Sequence, residues 1–274
     1  MREAERAGLS GEELYLGYHG VQVVGGASVR IEAGRVTALV GPNGSGKSTL
    51  LRALARLHRP DAGQVLLPDG RTALDLSAKA FARLVTLLSQ SRPTPGGVSV
   101  RDVVGYGRHP YRGRWRHEDP DGADAIEHAM QVTGVSPMAD RSVDELSGGE
   151  LQRVWLATCI AQDTGVLLLD EPTTFLDLRY QVEILDLVRD LADEHGVAVG
   201  VVLHDLNQAA AVADRVVLLD GGRVRASGPP AEVLEADALT DTYGIRIDVF
   251  TDPVTGLLTT QPIGRHTERQ ASKA

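Results

Sequence analysis

A chain of 274 residues, 42% hydrophobic and 24% charged, has the length and make-up of one large α/β domain with a well-buried core. Its net charge of −9 argues against nucleic acid as a partner, and Cys159, the one cysteine, cannot form a disulfide within the chain. Met1–Ser10 is charged and lacks the apolar core of a signal peptide, and no apolar run approaches the roughly 20 residues that span a bilayer.

In chain order, the first dozen residues are polar and read as a frayed tail. Val36–Val40 is a short, mainly apolar run of the kind buried in a parallel sheet. It leads into Gly41-Pro42-Asn43-Gly44-Ser45-Gly46-Lys47-Ser48-Thr49, which satisfies G-x-x-x-x-G-K-[ST], and then into an apolar helical stretch, Leu50–Leu57. Strand, glycine loop and helix are the context a phosphate-binding loop requires. The glycines turn backbone N–H groups toward a polyphosphate, and the helix adds its positive end. Lys47 would neutralise the β- and γ-phosphates of ATP, and the Ser48 hydroxyl would enter a Mg²⁺ shell. Only three lysines occur, Lys47, Lys79 and Lys273; a compact ammonium kept at this position suggests that a point charge is needed there.

A second apolar run, Leu84–Leu88, is followed by Ser89 and Gln90. Gln90 alone reads either as an ordinary loop amide or as a ligand to Mg²⁺. From Pro93 to Asp121 proline, glycine and arginine dominate, and strand-like runs stop until Val166; residues 91–163 read as a mainly helical insertion. Within it, Leu146-Ser147-Gly148-Gly149-Glu150 places Ser147 and Glu150 at the S-x-x-E spacing of a capping box, so a helix should begin at Ser147. Its glycine-rich first turn is a second anion-binding helix end in a chain with one phosphate loop. The economical solution is that it serves the nucleotide of another copy, which predicts a dimer with two ATP molecules sandwiched head to tail.

Val166–Leu169 ends in Asp170 and Glu171. Asp170 is placed to hold Mg²⁺, and Glu171 to polarise a water as general base. Val197–Leu203 ends in His204, which reads either as structural or as a contact to the γ-phosphate. Val216–Leu219, the turn Asp220-Gly221-Gly222 and Arg223–Ala226 read as a hairpin. Ile245–Gly264 alternates like strand, with no function assigned. Three apolar runs thus end in Gly41, Asp170 and His204, and the carboxyl edge of a parallel sheet is where ligands bind.

The ordered set Gly41–Thr49, Gln90, Leu146–Glu150, Asp170–Glu171, Asp177 and His204 resembles the nucleotide-binding subunit of ABC transporters. The resemblance covers roughly residues 14–264, leaving tails at 1–13 and 265–274. It implies an α/β fold: a P-loop NTPase (RecA-like) core with an antiparallel β subdomain and an inserted α-helical subdomain. It further implies that Gln90 is the Q-loop residue, His204 the switch histidine, Asp177 the D-loop aspartate that communicates across a dimer, and Tyr18 the aromatic that stacks on adenine. Val104–Tyr111, Arg153–Ala157 and Thr173–Asp177 with Gln181 resemble importer ATPases of the ferric-siderophore, haem and vitamin B12 group, closest to the ferric-siderophore members. Such importers pair an ATPase homodimer, peripheral at the cytoplasmic face of the membrane, with a permease dimer and an extracytoplasmic binding protein. Haem, cobalamin or another metal chelate is the alternative cargo, and a soluble ABC ATPase the remote alternative. The sequence departs from the family pattern at Leu151 and at Thr158-Cys159-Ile160. Arg101, Arg108, Arg112, Arg114 and Arg116, with His109 and His117, read either as a solvated basic loop or, by resemblance, as part of a permease-facing surface.

Overall fold

The computed structural model describes residues 8–90, 96–112 and 119–265. The chain opens with a long bulged hairpin, β1 (Gly8–Tyr18) and β2 (Val21–Glu32), then enters β3 (Val36–Val40) and the helix α1 (Lys47–Leu54). Next come β4 (Ala62–Leu66), the short helix α2 (Ala78–Phe81) and β5 (Val85–Leu88). The described residues between β5 and the following strand form α3 (Val100–Gly105), α4 (Gly122–Val132) and α5 (Gly148–Ala161), with no pairing beyond the single bridge Ser99–Ser142. Strand and helix then alternate: β6 (Val166–Asp170), α6 (Leu178–Asp193), β7 (Ala198–Val202), α7 (Leu206–Val212), β8 (Arg215–Asp220) and β9 (Arg223–Gly228). The last elements are α8 (Pro230–Val233), α9 (Ala236–Tyr243) and the hairpin β10 (Ile247–Thr251) and β11 (Leu258–Pro262).

The six-stranded central sheet runs β5-β6-β7-β3-β8-β9. Its strands pair in parallel from β5 to β8, and β9 returns antiparallel through the Gly221–Gly222 turn. β3, β6 and β7 are buried along their whole length, because both faces of the sheet are covered. Val36, Ala38 and Val40 meet α6 through Ile184, Val188 and Leu191, whereas Leu39 faces Leu50, Leu51 and Leu54 of α1. A separate antiparallel sheet, β2-β1-β4, closes over the α1 side. The helical insertion has its own small core of Val100, Val103, Val104, Met130, Val135, Val154 and Ala157. α5 joins the two cores: its other face places Leu156 and Cys159 in the sheet's core with Leu88, Leu167 and Leu169.

Three expectations are corrected. The tail expected over residues 1–13 does not reach that far, since Gly8 already pairs with Glu32 and Leu9 and Leu14 are buried. The helix expected over Leu50–Leu57 stops at Leu54; Arg56 takes a left-handed backbone (φ 58°), which ends a helix, and leaves Leu57 exposed. Arg108, read as part of a solvated or partner-facing basic loop, is only 3% exposed. Its guanidinium donates to both carboxylate oxygens of Asp119 (2.9 and 2.6 Å) and to the Ala161 carbonyl (3.0 Å), and it lies 3.9 Å over the Tyr111 ring. Arg112 donates to the Gly105 carbonyl, and Arg101 pairs with Glu127 at 3.1 Å. Arg114, Arg116 and His117 lie outside the described residues, as do 1–7, 91–95 and all of the 265–274 tail except Arg265.

Candidate active site

The strand order sets β5, β6, β7 and β3 side by side, so the residues following each stand on one edge of the sheet. Gly41 leaves β3 with φ 143°, and a Cβ there would sit 2.0 Å from the Leu219 carbonyl oxygen. Gly46, the left-handed N-cap of α1 (φ 98°), would drive a Cβ to 2.7 Å from Val24. Glycine is the residue that fits both backbone states. Pro42, Asn43 and Gly44 form the outer turn, closed by the Ser45 amide donating to the Pro42 carbonyl (3.2 Å), and Ser48 and Thr49 continue into α1.

Lys47 is 5% exposed, and its ammonium donates to the carbonyls of Gly41 (2.7 Å) and Pro42 (2.9 Å). Burial pushes its pKa down, against the opposing pull of the Glu171 and Asp170 charges. Two neutral carbonyls are modest partners for a buried cation; anionic phosphate oxygens are stronger ones. The Ser45 hydroxyl is also buried, with no hydrogen-bond partner among the described residues.

Asp170 closes β6 at 1% exposure. One carboxylate oxygen accepts the Ser48 hydroxyl proton (2.6 Å); the other is buried with no hydrogen bond, 3.6 Å from the Arg52 guanidinium. A buried carboxylate oxygen without a donor, beside a serine hydroxyl at the phosphate loop, is a donor set that fits a hard divalent cation. Glu171 follows in a left-handed backbone (φ 55°), a strained state for a non-glycine residue that clusters at functional sites. Its carboxylate is held from three sides. His204 Nε2 is 2.6 Å from Oε1, and Oε2 accepts from the Gln90 amide (2.6 Å) and the Thr174 hydroxyl (3.3 Å). Gln90, Asp170, Glu171, His204, Lys47 and Ser48 are thereby gathered at one edge.

Ser147, Gly148, Gly149 and Glu150 stand apart from that cluster, at the start of α5. The capping box is present: the Glu150 amide donates to the Ser147 hydroxyl (3.4 Å), and Glu150 accepts from the Ser147 amide (2.8 Å). Those Ser147 bonds hold the Glu150 carboxyl below its ordinary pKa. Among the described residues, the side chains of Ser147 and Glu150 bond to each other and to Arg141, not to the phosphate loop. A Cβ on Gly148 would meet nothing within 4 Å, so this helix end is open. Asp177 caps α6, accepting the Tyr180 amide (3.1 Å). Tyr18, at the end of β1 and 40% exposed, lies with its ring centroid 4.5 Å from that of His58.

Sequence reasoning missed Thr174, Arg52 and His58. Arg52 stands four residues after Ser48 on the same helix, so helical periodicity could have paired them. Nothing local marks Thr174 or His58.

A strand-to-helix glycine loop with a buried lysine, facing an Asp-Glu pair on the same sheet edge, defines a P-loop nucleotide-hydrolase core. Residues 24–174 match the family described as ABC transporter, and the chain belongs to that family. It is 44% identical over 262 residues to the ferric enterobactin transport ATP-binding protein FepC of Escherichia coli (strain K12), covering 94% of this chain and 95% of that one. It is 39% identical to the iron(3+)-hydroxamate import ATP-binding protein FhuC of Bacillus subtilis (strain 168), covering 90% and 91%. Among solved structures, the dimeric bacterial ABC transporter cassette MJ0796 superposes with a TM-score of 0.70 at 25% identity, covering 81% of this chain and 98% of that one.

Proposed function

We propose that this chain is the ATP-binding and ATP-hydrolysing subunit of an importer, working as a homodimer beneath a pair of membrane permeases to bring a ferric siderophore inward. The observation that carries the reading is the three-sided grip of His204, Gln90 and Thr174 on the Glu171 carboxylate, at the sheet edge shared with Lys47.

ATP phosphates exchange the Gly41 and Pro42 carbonyls for stronger partners to Lys47, and the amides of Gly44–Thr49 add donors. Ser48, Asp170 and Gln90 would hold Mg²⁺, which supplies positive charge against the phosphates when bound. Ser147 and the amides of Gly148 and Gly149 contact the ATP held by the other copy, and Asp177 answers across the same contact. Glu171 takes the proton of the attacking water; His204 and Gln90 orient that carboxylate. Tyr18 supports the adenine. ATP binding closes the pair and hydrolysis reopens it, so binding energy does the gating. Among the described residues no helix is long and apolar enough to cross a membrane. In this reading the subunit acts from the cytoplasmic face through its permeases, with an extracytoplasmic binding protein delivering cargo.

The test is uptake of ferric siderophores, haem and cobalamin in cells whose only copy carries Lys47→Ala. Loss of one ferric chelate alone is the expected result. Loss of haem or cobalamin uptake reassigns the cargo, and unchanged uptake across the panel overturns the importer reading.

A further inference from the structure

Among the described residues the C-terminal hairpin makes no hydrogen bond to the phosphate loop, yet it is tied to the segment that carries His204. Three residues after His204, the Asn207 side chain makes a three-bond clasp with Thr260 of β11. Its amide nitrogen donates to the Thr260 carbonyl (3.2 Å), and its amide oxygen accepts from the Thr260 amide (2.7 Å) and hydroxyl (3.0 Å). A side-chain amide here does the work of a neighbouring strand. β10 pairs with the other edge of β11, matching Val249 to Thr260, and Asn207 completes the free edge. Thr260 is 5% exposed, so its backbone groups have little access to water and depend on this partner.

The same short helix is anchored on its other side. Thr173 donates its hydroxyl proton to Gln208 (3.0 Å), Gln208 donates to Gln181 (2.8 Å), and Gln181 donates to the Leu176 carbonyl (2.9 Å). Asp205 caps the turn by accepting the amides of Asn207 (2.7 Å) and Gln208 (3.1 Å). His204 therefore leaves β7 into a turn clamped between the segment after Glu171 and the C-terminal hairpin. Its hold on Glu171 can be no better placed than that turn.

We propose that the hairpin β10–β11 is a positioning element for His204, acting through the Asn207–Thr260 clasp. The proposal rests on the role given to His204 above. Asn207 touches no reacting group; it fixes the helix on whose first turn His204's geometry depends.

The experiment compares Asn207→Ala, Asn207→Asp and a same-strand control, Gln261→Ala, in the full-length chain. It reads ATP turnover, affinity for a fluorescent ATP analogue, and the ring resonances of His204 in histidine-labelled protein. Asn207→Ala is expected to lower kcat by about 10- to 100-fold, the cost of a misplaced catalytic group. It should leave analogue affinity unchanged and displace the His204 resonances, with Gln261→Ala like wild type throughout. Asn207→Asp keeps the acceptor and loses the donor, so it falls between the two, and it serves as the test variant if Asn207→Ala does not fold. Wild-type turnover in the Asn207 variants overturns the proposal. So does a loss of turnover that tracks a loss of analogue binding while His204 stays unmoved. A wild-type chain that hydrolyses no ATP sinks the function proposed above instead; the resonances alone then decide the clasp, displacement supporting it and constancy refuting it.

Discussion

Gly149 is the second glycine of the α5 first turn, and the packing there dictates a specific stability cost. A Cβ at this position would lie 2.5, 2.6 and 2.8 Å from three atoms of the Tyr180 ring. Arg153 lies over that ring at 4.9 Å and crowds it further. The added methyl must therefore push α5 away from α6 or tilt a half-buried tyrosine. Overpacking of this kind costs about 1–3 kcal/mol, offset by up to about 1 kcal/mol of alanine's helix propensity. The net for Gly149→Ala is about 1–2 kcal/mol of destabilisation, and in a domain of this size each kcal/mol lowers Tm by about 2–4 °C. Gly148→Ala, one residue earlier in open space, should leave Tm unchanged or slightly raised. Thermal unfolding of both variants is the assay, with Tyr180→Ala as a second background in which Gly149→Ala should cost nothing further. Equal melting temperatures for the two glycine variants, or an undiminished cost without the Tyr180 ring, would refute the packing argument.

Two further outcomes follow from contacts elsewhere. The Arg108 hydrogen bonds hold the Asp119 carboxyl below its ordinary pKa. A depressed carboxylate stabilises the fold above its unfolded pKa and loses that contribution as pH falls through the folded value. Wild type should therefore lose stability relative to Asp119→Asn as pH drops below about 4. At neutral pH Asp119→Asn should cost about 3 kcal/mol, because a buried guanidinium loses its counter-charge; denaturant titrations at both pH values check the sign. Tyr18→Ala should weaken ATP binding about tenfold, the worth of a base–aromatic stack, whereas Tyr18→Phe should bind as wild type in the same titration.

How much of this was legible in the sequence depended on whether the cause was local. β3, β6 and β7 are runs in which Thr37 and the terminal Asp170 are the only polar side chains, and burial on both faces produces that signature without reference to anything distant. The phosphate loop and the Ser147 capping box were readable because each is a continuous motif, although Gly41, Gly46 and Ser48 also meet Leu219, Val24 and Asp170 far along the chain. The grip on Glu171 was not. Gln90 and His204 each looked ambiguous, because their common partner is 81 and 33 residues away and is reached through sheet order. The start of β1, residues 8–13, reads as a tail because Ser10, Gly11, Glu12 and Glu13 make it polar, and the register break between Gly11 and Leu14 interrupts the two-residue alternation that marks a strand. Arg108 was misread because arginine is mostly a surface residue. The partners that bury it, Asp119 and the Ala161 carbonyl, come together in three dimensions only.

The most direct test of the account is made on Glu171→Gln in the full-length protein, with bound nucleotide and molecular mass followed after ATP is added. Retention of intact ATP in a stable dimer, with turnover abolished, is the result expected if Glu171 is the base and two copies sandwich the nucleotide. Hydrolysis at the wild-type rate, or ATP retained by a chain that stays monomeric, would contradict it.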